Sequence, residues 1–140
     1  MMLDTKNLWP KELLTGDDIL LPITILREQA KYFNQMTRNI VVAEVKTKAV
    51  EIPNKNSNLP QQGILHTLKI VAPAIGNYDF ELLRLLQQDI SPYPLEVYAP
   101  LLELKYNISG PMDLEQCLKE IFTNFKTVRA IQSLMTQSKE

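Results

Sequence analysis

Histidine, cysteine and tryptophan each occur once in this chain, and glycine only four times. Each scarcity removes a class of chemistry. A lone cysteine excludes an internal disulfide and, with it, a cysteine scaffold. A lone histidine, His66, cannot build a multi-histidine metal site. For acid–base work it would need an orienting carboxylate and a reacting partner beside it. No G-x-S-x-G, Walker loop, dinucleotide fingerprint or paired C-x-x-C occurs. Charge of neither sign dominates: 15 Lys plus Arg stand against 16 Asp plus Glu. A protein that neutralises many phosphates needs a basic excess, so nucleic acid is not the favoured partner. No apolar run approaches the roughly 20 residues that a spanning helix requires, which removes the membrane as a partner. The opening stretch MMLDTKNLWPKELL has Asp4 and no apolar h-region, so it does not read as a secretory signal. Cytoplasmic residence is the expectation.

What is present is an ordinary globular composition, with 45% hydrophobic and 22% charged residues in 140. That length matches one domain over residues 1–140, burying roughly 68–70% of the surface its unfolded chain exposes. Residues 1–16 read as an N-terminal arm with a short helical turn, Pro10 preceding Lys11 to Leu14 and Gly16 stopping it. Trp9 in that arm reads as a core anchor. Asp17 and Asp18 suit a helix start. Ile23, Leu26, Ala30 and Phe33 share a helical face that Ile25, Tyr32 and Met36 widen, which predicts a helix over 22–36.

From Asn39 to Ile52 the period drops to two. Val41, Ala43, Val45 and Thr47 have one parity and Glu44, Lys46 and Lys48 the other. That is a strand with one buried and one wet face. The segment 53–63, PNKNSNLPQQG, reads as a flexible loop. A second strand over 64–72 places His66 with Ile64, Leu68 and Ile70, and the two strands can pair antiparallel. Leu82, Leu83, Leu85 and Leu86 predict a helix over 80–89, apolar on more than half its circumference. Strands follow over 95–99 and 102–108, joined at Ala99-Pro100 by either a tight turn or a bend. Asp113 with Gln116 forms a variant capping box for the C-terminal helix, with Asp113 supplying the cap oxygen. Weak helix formers around Asn124 predict a kink with helix resuming near Thr127, and the tail 136–140 should fray.

The string Val42-Ala43-Glu44-Val45-Lys46-Thr47 carries a Glu-x-Lys on a strand, where alternate residues share a face. It resembles the carboxylate–lysine element of the metal-dependent PD-(D/E)xK nucleases. The resemblance covers under ten residues, with a helix bearing Glu28 before it. It implies that Glu44 would hold a divalent metal while Lys46 stabilised the nucleophile or the developing charge. The family's upstream Asp strand is replaced here by a helix. The plainer reading is that Glu44, Lys46 and Lys48 wet the outer face of an antiparallel strand.

The remaining candidates have equally plain readings. Cys117 falls on the buried stripe of the last helix, where thiols are inert. Glu96 and Glu103 would face solvent beside Lys105, where a cross-strand salt bridge suffices. What survives is a surface. Lys46, Lys48, Lys69, Tyr98 and Lys105 would lie together on the sheet face opposite the helices, a platform for an acidic partner with Tyr98 as its anchor. The expectation is an α+β fold of about four antiparallel strands in the order α-β-β-α-β-β-α, with helices mainly on one face. Its role would be that of a non-catalytic protein-binding module, inhibitor- or immunity-like, using its sheet face or terminal helix. No cofactor is expected. A homodimer through the C-terminal helix is a further expectation, and a nuclease-like hydrolase using Glu44 and Lys46 is the alternative.

Overall fold

Every strand of the sheet pairs with the next one in the chain. A computed structural model describes residues 6–14, 21–53 and 61–140. Five antiparallel strands run in sequence order across one sheet: β1 (Val42–Ile52), β2 (Gln61–Ala72), β3 (Tyr78–Gln87), β4 (Leu95–Ala99) and β5 (Leu104–Ile108). One helix, α1 (Pro22–Met36), precedes the sheet. Two more, α2 (Pro111–Thr123) and α3 (Phe125–Ser138), follow it. The α+β class and the antiparallel sheet are as expected, while the strand number and order differ.

The difference lies in β3, which occupies the stretch expected to be a helix over 80–89. Its leucines are spaced as on a helix, but a register shift explains the spacing. Leu68 pairs with Leu83, whereas the next residue, Lys69, pairs with Glu81. Leu82 is therefore an extra residue in a bulge, and both Leu82 and Leu83 are buried. Beyond the bulge Leu85 continues the buried parity, and Leu86 is half-buried beside Leu65 on the other face. Central-strand burial overrides the helix propensity of leucine.

Local signals account for the turns. Gly76 and Asn77 both take φ near +60°, at 60° and 61°, and turn the chain from the short 3₁₀ turn Pro73–Ile75 into β3. Only glycine and asparagine adopt that region readily. Ala99-Pro100 begins a tight turn. Leu102 N–H donates to the Ala99 carbonyl and Glu103 N–H to that of Pro100, both at 3.2 Å. β5 therefore starts at Leu104 rather than Leu102, and Glu103 sits in the turn at φ 55° instead of on the strand face.

Pro22 opens α1 and Pro111 opens α2. Asp113 is not the cap of α2: it lies in the first turn and accepts from both the backbone N–H and the hydroxyl of Ser109. The expected break in the C-terminal helix falls at Asn124, whose Oδ1 accepts from Lys126 N–H at 2.9 Å, and α3 begins at Phe125. Leu26, Leu83, Leu85, Val97, Leu114 and Ile121 are fully buried in one core shared by the helices and a single parity of the strands. Trp9 is no part of it. At 73% exposure it stands in solvent, as do its arm neighbours. The expected starter residues Asp17 and Asp18, and most of the 53–63 loop, lie outside the described residues. β2 begins at Gln61, inside the stretch read as loop.

Candidate functional site

Strand register arranges the open face of the sheet in rows. Glu44, Lys69 and Glu81 form one row; Lys46, Thr67, Arg84, Tyr98 and Lys105 form the next; Lys48, Leu65, Leu86, Glu96 and Asn107 form a third. The five surface residues read from the sequence therefore share a face but not one patch. Lys46 and Lys105 stand on opposite edge strands, about 19 Å apart at the usual strand spacing. Tyr98 and Lys105 do meet, with Nζ 5.9 Å from the ring centroid. Arg84 joins their row and pairs with Glu81. It was illegible as a surface residue because its segment reads as helix.

Glu44 and Lys46 project from this same face, both exposed. The register sets Glu44 opposite Lys69, so its nearest cross-strand neighbour is a cation rather than a second carboxylate. Among the described residues no group of three His, Cys, Asp or Glu side chains is placed to hold a metal ion.

His66 faces the core side, 3% exposed, between two partners. Its Nε2 lies 2.7 Å from Gln87 Oε1 and its Nδ1 2.9 Å from Thr47 Oγ1. Because Gln87 Oε1 can only accept, Nε2 carries the proton and Nδ1 accepts from the Thr47 hydroxyl. Burial pushes the imidazole below its ordinary pKa, partly countered by the Gln87 bond, and Arg27 adds a small further depression. A neutral histidine tying β1, β2 and β3 together is a structural tool. Cys117 is equally quiet: burial, assisted by Glu120, pushes its thiol up to about 12.

The chemistry of the opposite side is different. Between α1 and α3 a groove of about 510 Å³ opens above Ala43, Leu68, Ile70 and Leu82 of the sheet. Phe33 and Met36 wall it from α1, and Val128, Ile131 and Met135 from α3, with Phe122 at the end of α2. Met36 is 87% exposed and Tyr32 60%. Gln29, Thr37, Thr127 and Gln132 contribute the polar part of an otherwise apolar lining. The Thr37 hydroxyl lies 2.7 Å from the Val41 carbonyl and 3.0 Å from that of Phe33. The two walling helices carry Arg27, Lys31, Lys126 and Arg129 against the single acid Glu28. Sequence periodicity held a trace of this groove: α1 has Tyr32, Phe33 and Met36 beyond what its core stripe needs. The gap itself depends on how far α1 and α3 stand apart, which no local pattern encodes.

Comparison with known proteins finds no matching family model, no matching curated protein and no matching solved structure. No helix among the described residues is long and apolar enough to cross a membrane.

Proposed function

We propose that this protein is a non-catalytic binding module whose α1–α3 groove takes an apolar segment of a partner protein flanked by acidic residues. The observation that carries this reading is the groove itself, an open apolar trough with exposed Met36 and Val128 on its lips. Large exposed apolar patches on soluble proteins mark interaction sites. Methionine and aromatic walls adapt to more than one apolar shape. The cationic excess on the two helices lies outside the groove lining and favours an acidic partner through long-range steering. This keeps the terminal helix as the binding element and shifts the weight from the sheet face to the groove.

The test uses fluorescent peptides that carry two Leu or Phe anchors between Glu-rich or Lys-rich flanks, read by anisotropy. The Glu-flanked peptide should bind more tightly, and Met135→Glu should weaken it at least tenfold without loss of helical signal. Equal binding by the groove variant would remove the reading. A second reading is favoured by the aligned Lys46, Arg84, Tyr98 and Lys105 row, which would dock an acidic surface. Tyr98→Ala should then reduce capture of that partner while the groove peptide binds as before.

A further inference from the structure

The N-terminal arm and the groove are two unsatisfied apolar surfaces on one chain. Leu8, Trp9, Leu13 and Leu14 are 87%, 73%, 65% and 90% exposed, and the 3₁₀ turn Lys11–Leu14 buries nothing. None of the described arm residues 6–14 lines the groove of its own molecule. Four large apolar side chains held in water within seven residues cost free energy that burial would recover. We propose that residues 8–14 of one copy seat in the α1–α3 groove of a second copy, and that the exchange is reciprocal.

Several features favour a second copy as occupant. The arm is attached to the start of α1, while the groove is lined by that helix from Gln29 onward. At 1.5 Å per residue the groove therefore lies about 10–20 Å along the helix from the point of attachment. In the structure the described arm residues are exposed and stand clear of their own groove. Two copies related by a two-fold axis each offer the same arm and the same groove, so the exchange closes at a dimer and leaves no free end. Arm and partner peptide would then compete for one groove, which makes self-association a brake on partner binding. This inference rests on the groove being a docking site.

Trp9 is the sole tryptophan, so the full-length protein reports on its own arm. In a dilution series followed by emission and by sedimentation, Trp9 should move to shorter wavelength as the mass doubles. Leu14→Asp, which removes an arm anchor, and Val128→Glu, which blocks the groove, should each weaken self-association at least tenfold. Both positions are exposed enough for the fold to tolerate the change. Mixing the two variants should restore a heterodimer, because one still offers an arm and the other a groove. A monomer at all concentrations with Trp9 in water overturns the exchange. So does a blue shift that ignores concentration, since the arm would then fill its own groove, and so does a dimer indifferent to both substitutions. If the Glu-flanked peptide still binds a monomer whose Trp9 is silent, the groove reading stands and the exchange alone fails. If neither the peptide binds nor Trp9 shifts, both fall.

Discussion

Asn34 on α1 grips Ala43 on β1 by both of its backbone polar groups. Its Oδ1 accepts from Ala43 N–H at 2.7 Å, and its Nδ2 donates to the Ala43 carbonyl at 3.3 Å. β1 is an edge strand, so these are groups that no neighbouring strand satisfies. One side-chain amide thus does locally what another strand would do, and it fixes α1, the first wall of the groove, to the sheet.

Asn34→Ala should therefore destabilise the fold by about 1–3 kcal/mol, since two partly buried backbone groups lose their partners. Denaturant midpoints would measure it. Asn34→Asp keeps the acceptor and loses the donor, so it should cost less than Asn34→Ala. Peptide binding should weaken in the same order, because the wall is no longer pinned. A variant that unfolds earlier yet binds the peptide unchanged would separate the wall from the groove.

Gly63 on β2 is fixed by close approach rather than by backbone conformation. A Cβ there would stand 2.6 Å from the Gln87 carbonyl oxygen and would run into Ile52 Cδ1. Gly63→Ala should cost about 1–3 kcal/mol through overpacking. Adding Ile52→Val should recover only part of that in denaturant melts, because the Gln87 backbone cannot step aside. Full recovery would place the whole clash on the isoleucine.

The elements that read correctly from sequence are those whose local signals and tertiary surroundings agree. Pro22 with the Ile25, Leu26 and Ala30 stripe gives α1, and the Ala43/Glu44 alternation gives β1. Asn124 supplies a cap where the C-terminal helix breaks. The failures are places where tertiary structure decided. A bulge at Leu82 disguises β3 as a helix, and that one misreading hides Arg84 from the surface account. Trp9 looks like a core residue by composition alone, yet it stands 73% exposed and nothing among the described residues receives it. The groove is a relation between two helices roughly a hundred residues apart in sequence, so no window of the chain contains it.

Thr127 is fully buried at the start of α3, and its Oγ1 has no hydrogen-bond partner among the described residues. An unsatisfied buried hydroxyl costs about 1–3 kcal/mol, and valine has nearly the same shape. Thr127→Val should accordingly raise stability by about 1 kcal/mol, against the usual destabilisation of core changes. Thermal and chemical melts would show it. A loss of stability would mean that the hydroxyl has a partner in solution, such as a trapped water.

The pH dependence of stability follows from His66, whose folded-state pKa lies below its ordinary value of 6.5 because burial penalises the charged ring. The sign is fixed by which state binds the proton first. On acidification the unfolded chain takes up a proton on His66 as the pH passes about 6.5, while the folded chain resists. The contribution is therefore complete above that pH and is lost as the pH falls below it towards the depressed folded value. Protonation would also place a second N–H against the Thr47 hydroxyl, which must rotate from donor to acceptor. Urea midpoints of the native chain should thus fall between pH 7.5 and pH 5.5. His66→Asn, although less stable throughout, should show a flatter profile over that window. An unchanged slope in the variant would assign the acid sensitivity to another group.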